Sequence, residues 1–232
     1  MADVQFAKSA AAPLHDVRFP GESAAYRAAR DELLLAEIAL RRQTEAVAAQ
    51  RRALPAGGEV PEDYVFEGEA GPVRLSELFG DKATLAIYSY MYGPKMAEPC
   101  PSCTSIMDAM NGEARHVRQR IALAVVANSP LERILAFTRP RGWSGLRMLS
   151  AAGNRYSVDY HGETAEGRQS PALNIFTRQD GKIRHAWCSE LMFAPADPGQ
   201  DPRHVDVIWP LWNLFDATPE GRGDWYPSLS YD

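Results

Sequence analysis

The sequence contains few cysteines, no long apolar run and no excess of basic residues. Among 232 residues only Cys100, Cys103 and Cys188 are cysteines. Three cysteines are too few for a disulfide scaffold, and an odd number cannot all pair within one chain. No apolar run approaches the roughly 18 residues of a bilayer-spanning helix. Lys and Arg number 25 against 30 Asp and Glu, a formal net charge of −5. We therefore expect no membrane span and no nucleic-acid partner.

The first twenty residues also lack the cationic start and apolar stretch of an export signal. Hydrophobic residues make up 45% and charged residues 24% of the chain, an ordinary balance for a globular protein. A chain of this length can bury a core without disulfide staples. A cytoplasmic globular protein is the expectation.

Changes in composition divide the chain into three parts. Residues 1–20 have no periodicity and are interpreted as a weakly ordered lead-in. Residues 21–56 form a predicted helical arm, because the stretch up to Leu54 has no proline, has no glycine after Gly21, and is rich in Ala, Leu, Glu and Arg. Residues 57–232 form the predicted main domain.

The predicted arm carries one narrow apolar stripe, whose members recur every seven residues. They are Tyr26, Leu33, Leu40, Val47 and Leu54. Such a stripe packs either on the body of its own chain or on the same helix of a second subunit. We expect a homodimer formed through this helix.

The main domain alternates strand and helix patterns. Apolar runs at 85–91 and 121–127 predict buried strands, and the helical periodicity between them predicts a crossover with parallel pairing. Runs at 173–177 and 183–187, which flank an Asp-Gly turn, predict a hairpin. The pattern indicates an α/β fold.

The chemistry of the sequence is concentrated in Cys100-Pro101-Ser102-Cys103, on the opening turn of the first of these helices. A helix start favours a thiolate at Cys100 and places Cys103 one turn away, within bonding reach. Cys100 is therefore the predicted nucleophile and Cys103 the resolving thiol. A zinc site would need a second pair of ligands. Cys188 and the five histidines do not supply one, because no two of them are two to four residues apart. An inert cysteine pair is the remaining alternative.

Several segments, in order along the chain, resemble a bacterial thioredoxin-like family long catalogued as a domain of unknown function. They are Arg51–Pro55, Asp63–Gly68, Leu75–Phe79, Tyr90–Tyr92, Cys100–Cys103 and Leu214–Arg222. Members are often labelled predicted dithiol-disulfide oxidoreductases. The resemblance implies a thioredoxin-like fold, a central mixed sheet flanked by helices, with a long N-terminal helical arm and with its motif cysteines at Cys100 and Cys103.

Thioredoxin-type domains also place a cis-proline against the redox cysteines, just before the strand that opens a hairpin. Pro171 occupies that position, and we expect it to be cis and to shape the substrate groove. Cys188, at the end of the following strand, is either a buried structural thiol or a third redox partner. Ala97 stands where a peroxiredoxin would have Thr, three residues before the attacking cysteine, which argues against a peroxidase.

The sequence therefore predicts a thiol-disulfide oxidoreductase that acts on a disulfide in a protein or a small thiol compound. We expect no cofactor, because no nucleotide-binding loop follows a strand and no metal ligands cluster. The alternative is a non-catalytic binding or scaffold protein, which would use the helical arm and an aromatic C-terminal tail to hold partners.

Overall fold

The structure, a computed structural model, describes residues 14–231, and the chain divides into two units with the boundary between Leu54 and Pro55. Helix α1, Ala24–Arg52, belongs to the first unit. Ser23 caps it, since its hydroxyl accepts the Tyr26 N–H at 3.1 Å. Most of the predicted lead-in lies outside the described residues, and residues 14–20 contain no helix or strand.

Helix α1 contributes no residue to a hydrophobic core. None of its residues is buried, and Leu33 and Leu40 leave 49% and 68% of their surface exposed. Of the apolar stripe predicted from the spacing of seven, Tyr26 and Leu54 are also exposed and Val47 is half-buried.

The second unit contains seven strands and five helices within the described residues. They are β1 (Val65–Gly68), β2 (Gly71–Arg74), α2 (Leu75–Leu78), β3 (Thr84–Ser89), α3 (Pro101–Arg120), β4 (Ala122–Ala127), α4 (Leu131–Thr138), β5 (Met148–Ser150), α5 (Tyr156–Asp159), β6 (Ala172–Gln179), β7 (Lys182–Cys188) and α6 (Pro210–Phe215). Short 3₁₀ turns at Glu190–Met192 and Asp206–Ile208 precede α6.

The strands form one mixed sheet in the order β2-β1-β5-β4-β3-β6-β7. Strands β3, β4 and β5 are parallel, and β3 and β4 are joined through α3 as the crossover pattern predicted. Strands β6 and β7 form the predicted hairpin, and β6 pairs antiparallel with β3. The predicted thioredoxin-like fold is confirmed.

Each face of the sheet carries its own hydrophobic core, because successive side chains of β3 point to opposite faces. Tyr88 packs with Met107 of α3 on one face. Ile87 packs with Tyr156 and Phe176 on the other. We call these the α3 face and the α5 face.

A bulge in the β6–β7 hairpin determines which way Cys188 points. Asn174 pairs with Cys188, whereas Phe176, two residues later, pairs with His185, three residues earlier in β7. In a regular strand, residues three positions apart point to opposite faces. The extra residue in β7 changes this and places His185 and Cys188 on the same face. Asn174 also pairs with Ile87, so this is the α5 face.

Pro171 corrects one expectation. No cis peptide bond occurs among residues 14–231, so the Ser170–Pro171 bond is trans and the predicted cis isomer is wrong. The trans isomer is the lower in energy for most X–Pro bonds, by about 0.5–1 kcal/mol. A position before a hairpin strand does not by itself reverse that preference.

Candidate active site

The motif cysteines lie where the eleven-residue connection from β3, residues 90–100, meets the start of α3. Cys100 is the N-cap residue of the helix, and Pro101 lies in its first turn. The N–H groups of that turn have no partner within the helix, so the N–H that proline lacks costs no hydrogen bond. The Cys103 N–H donates to Cys100 Sγ at 3.5 Å, and the Cys100 N–H donates to the Met91 carbonyl at 3.0 Å. The cap therefore directs the Cys100 sulfur at the helix start.

Cys100 is partly exposed, and its surroundings favour the thiolate. A hydrogen bond from the Cys103 thiol lowers the pKa of Cys100 to about 6, against an opposing effect of burial. The backbone N–H groups of Cys103 and Ser102 and the Ser102 hydroxyl add to the lowering. At neutral pH the sulfur is thus mainly anionic.

Cys103 has the opposite environment, with 1% of its surface exposed. Burial raises its pKa well above the ordinary thiol value, and the neighbouring Cys100 raises it further. The Tyr88 hydroxyl donates to Cys103 Sγ at 3.3 Å and partly offsets this rise. The pair thus combines an ionised, accessible thiol with a protonated, buried one.

Two further side chains fix the first turn of α3. The Thr104 hydroxyl donates to the Cys100 carbonyl at 2.9 Å. Tyr90 Oη lies 2.7 Å from Thr104 Oγ1 and therefore serves as donor to it. Tyr88 and Tyr90 are thus core residues whose polar tips bind at the first turn of α3.

Arg133, on α4, binds the connection that leads to Cys100. Its guanidinium donates to the carbonyls of Gly93 and Ala97 at 3.2 and 3.0 Å and also to that of Met96. It lies over the Tyr92 ring, 4.4 Å from the centroid. Sequence reasoning missed this residue, because nothing in a helical arginine indicates a partner 36 to 40 positions earlier.

The segment before β6 adjoins the same connection. A Cβ on Gly93 would lie 2.7 Å from the Gln169 side chain, so the connection passes close to that residue. Ala172 pairs with Ser89 at the end of β3, so Pro171 lies at the sheet end that carries the connection. A role for Pro171 in a substrate groove stays a prediction.

Cys188 is separated from the motif. It lies on the α5 face with Asn174, whereas Cys103 packs on the α3 face. Burial raises the pKa of the Cys188 thiol. The structure therefore does not bring it together with Cys100 and Cys103 as a third redox partner.

The cysteines are free thiols among the described residues. Within residues 14–231 no group of three or more His, Cys, Asp and Glu side chains is arranged to hold a metal ion. No helix of that range is long and apolar enough to cross a membrane.

A family model described as bacterial protein of unknown function (DUF899) matches residues 17–231, nearly the whole chain. The chain belongs to this family. No curated protein matches this DUF899 chain.

Solved structures similar to this DUF899 protein include three from different organisms. A peroxiredoxin-like protein from Aquifex aeolicus is 19% identical, with a TM-score of 0.43, over 58% of this chain and 75% of that one. Thioredoxin peroxidase I of Plasmodium yoelii is 18% identical, with a TM-score of 0.43, over 77% and 99%. The exposed lipoprotein thioredoxin of Streptococcus pneumoniae is 12% identical, with a TM-score of 0.41, over 65% and 100%.

Proposed function

We propose that this protein is a dithiol-disulfide oxidoreductase in which Cys100 attacks a substrate disulfide and Cys103 resolves the intermediate. The observation that carries the proposal is the contrast within the pair. Cys100 is partly exposed with a pKa of about 6, whereas Cys103 is buried with a raised pKa. Attack and resolution need different thiols, and this asymmetry supports the proposed roles.

In the first step the Cys100 thiolate attacks one sulfur of the substrate disulfide. A bond forms between Cys100 Sγ and that sulfur, the substrate S–S bond breaks, and the other substrate sulfur leaves as a thiolate, which takes a proton from water. Formation of the mixed disulfide removes the negative charge from Cys100. The Coulombic effect that helps to keep Cys103 protonated is then gone.

In the second step Cys103 loses its proton to solvent and attacks Cys100 Sγ. The Cys100–Cys103 disulfide forms, and the second substrate sulfur leaves and is protonated. Two electrons have passed from the protein to the substrate, while Cys103 has released one proton to solvent and the two substrate thiolates have taken up two protons from it. A second dithiol, as the external reductant, returns the protein to its starting state by the reverse exchange.

The substrate class that suits this site is a disulfide in a protein or in a small thiol compound. Cys100 lies at the surface end of a helix, where a bulky disulfide can approach it. We place the reaction in the cytoplasm, where thiols are kept reduced and an external dithiol is available.

We also propose that the working form is a homodimer joined through α1. The support is the stripe of exposed apolar side chains at a spacing of seven, which resembles one seam of a paired helix.

The proposal is tested by the stoichiometry of reaction with 5,5′-dithiobis(2-nitrobenzoate), in a Cys188→Ala background that removes the third thiol. With both motif cysteines present, attack and resolution release two thionitrobenzoate anions per chain. Cys103→Ser releases one and keeps the other bound to Cys100. Mass spectrometry of the intact chain distinguishes the bound group from an internal disulfide.

Turnover is then measured as reduction of insulin by dithiothreitol. Activity that Cys100→Ser abolishes supports the proposal, and Cys188→Ala, with the motif intact, is the matched control. Equal rates for the wild type and Cys100→Ser would favour the scaffold alternative. The exposed Trp225, Tyr226 and Tyr231 of the C-terminal tail would then be the first surface to examine.

A further inference from the structure

A cavity at the amino ends of the parallel strands lies at the opposite end of the sheet from the motif cysteines. We call it the basic cavity; its charged lining residues are Asp81, Lys82, Arg118 and Arg147. Its volume of about 540 Å³ lies within the range of small-molecule sites, roughly 300–1000 Å³. Strand β3, roughly 20 Å long, separates it from the connection to Cys100. The proposed redox reaction makes no use of this cavity.

The strand order places Lys82 and Arg147 on either side of the start of β4. Strands β3, β4 and β5 are parallel neighbours with β4 in the middle, so their amino ends share one edge of the sheet. Lys82 lies two residues before β3, and Arg147 directly precedes β5. Because neighbouring strands are about 4.8 Å apart, roughly 10 Å separates the two backbones, a gap across which long cationic side chains can meet.

Helix α3 brings Arg118 to the same place. Ala114 packs on the loop before β5, because a Cβ on Gly145 would lie 2.9 Å from the Ala114 Cβ. Arg118 follows Ala114 by four positions, so both lie on one face of α3, and helical side chains tilt toward the amino end of their helix. The Arg118 side chain therefore leaves the helix beside residues 144–147, which line the cavity.

The cations of the basic cavity are not neutralised within the described part of the chain. Arg118 and Arg147 are exposed, and neither guanidinium has a hydrogen bond or an ion pair among residues 14–231. Lys82 pairs at 3.1 Å with the exposed Asp81, which leaves further donors on its ammonium group. Three positive groups thus line the cavity with one carboxylate, an excess of two positive charges in a chain of net charge −5.

The floor of the basic cavity is apolar. Its apolar lining residues include core members with little exposure, which are Leu78, Phe79, Leu123 and Leu146. Arg178 holds the loop that carries Lys82, since its guanidinium donates to the carbonyls of Gly80 and Lys82 at 2.8 and 3.2 Å. A ligand that fits this cavity combines a negative group for the cations with a small organic part for the floor.

We propose that the basic cavity binds a small phosphorylated molecule, with its phosphate group among Lys82, Arg118 and Arg147. A phosphate monoester carries a charge of about −1.5 to −2 at pH 7, which matches the excess of positive charge. Its oxygen atoms can each accept from the forked donors of an arginine. The organic part lies on the apolar floor. This binding is independent of the proposed disulfide exchange.

The probe is phenyl phosphate, and the comparisons are phenyl sulfate and inorganic phosphate. Isothermal titration calorimetry of the full chain at low salt and about pH 8 measures each affinity. We expect saturable binding of phenyl phosphate and several-fold weaker binding of phenyl sulfate, which has the same ring but one negative charge. Inorganic phosphate should also bind several-fold more weakly, because it has no ring for the floor.

Matched exchanges of exposed arginines locate the site. Arg118→Gln and Arg147→Gln each remove one cation and should weaken phenyl phosphate binding about tenfold. Arg115→Gln removes the same charge at an exposed position of α3 outside the lining and should bind as the wild type does. Release of thionitrobenzoate should be unchanged in all three variants, because the motif is intact.

Three results would overturn the proposal. They are undetectable binding of phenyl phosphate by the wild type, equal affinity for phenyl sulfate, and a loss in Arg115→Gln equal to that in Arg118→Gln and Arg147→Gln. Equal affinity for inorganic phosphate would overturn the assignment of an organic ligand and identify free phosphate as the occupant.

Discussion

At the scale of single residues, the ionisation of Cys100 determines how fast the site reacts. A thiol with a pKa of about 6 becomes a thiolate as the pH rises through that value. The rate of alkylation by iodoacetamide should therefore rise about tenfold per unit below pH 6 and level off above about pH 7.

The measurement is quantitative mass spectrometry of the Cys100 peptide across pH 4 to 10, with Cys188 as the internal comparison in the same chain. Burial raises the pKa of Cys188, so its rate should still be rising where that of Cys100 is constant. A Cys100 midpoint near the ordinary thiol value of about 8.5 would contradict the helix-start stabilisation.

Tyr88 is the residue that acts on Cys103. Its hydroxyl donates to the sulfur at 3.3 Å and favours the Cys103 thiolate that resolution requires. Tyr88→Phe should slow resolution of the mixed disulfide several-fold while leaving the Cys100 alkylation midpoint unchanged. The loss of one buried hydrogen bond should cost about 1 kcal/mol of stability.

Stopped-flow release of the second thionitrobenzoate measures resolution directly. Tyr90→Phe is the matched control, because its hydroxyl contacts Thr104 and not a cysteine sulfur. Equal slowing in both variants would indicate a general loosening of the first turn of α3 and would count against a specific role for Tyr88.

At the scale of elements, Arg133 joins α4 to the connection before α3. Four carbonyls of that connection are acceptors for its guanidinium, so Arg133→Ala leaves them without this donor. We expect faster hydrogen exchange in residues 93–97 and a loss of about 1–3 kcal/mol in the free energy of unfolding.

Hydrogen exchange read by mass spectrometry checks this prediction, with chemical denaturation for stability. Arg139→Ala is the control on the same side of the fold, since Arg139 pairs with Glu69 where both are exposed. Exchange in residues 93–97 that matches the wild type in Arg133→Ala would show that the carbonyls do not depend on this contact.

Elements with strong local patterns were predicted well from the sequence. The continuous apolar run of β3, the periodicity of α3 and the Asp-Gly turn of the hairpin each reflect contacts close along the chain. Strand β2 carries no such local pattern, since its four residues include Gly71 and Pro72 and show no alternation. Its strand conformation comes from pairing with β1.

At the scale of the whole molecule, α1 should determine the oligomeric state. Leu40 leaves 68% of its surface exposed, and burying such side chains between two copies would remove apolar area from water. We expect a dimer in solution, and Leu40→Glu should shift it to the monomer because it would place a charge in the seam.

Light scattering at micromolar concentration measures the mass. Arg42→Glu, exposed on the opposite side of α1, should leave the dimer intact. A monomeric wild type, or equal loss of mass in both variants, would contradict pairing through the stripe.

The sequence by itself determined the fold class, the long helix and the position of the Cys-X-X-Cys motif on a helix start, because these depend on periodicity, capping and residue spacing within one turn. Only the tertiary structure decided that Tyr88 contacts Cys103, that Arg133 binds the connection and that Cys188 lies on the opposite face. These features follow from pairings between residues far apart in the chain and from one bulge. A bulge reverses the face of a side chain without changing the local pattern.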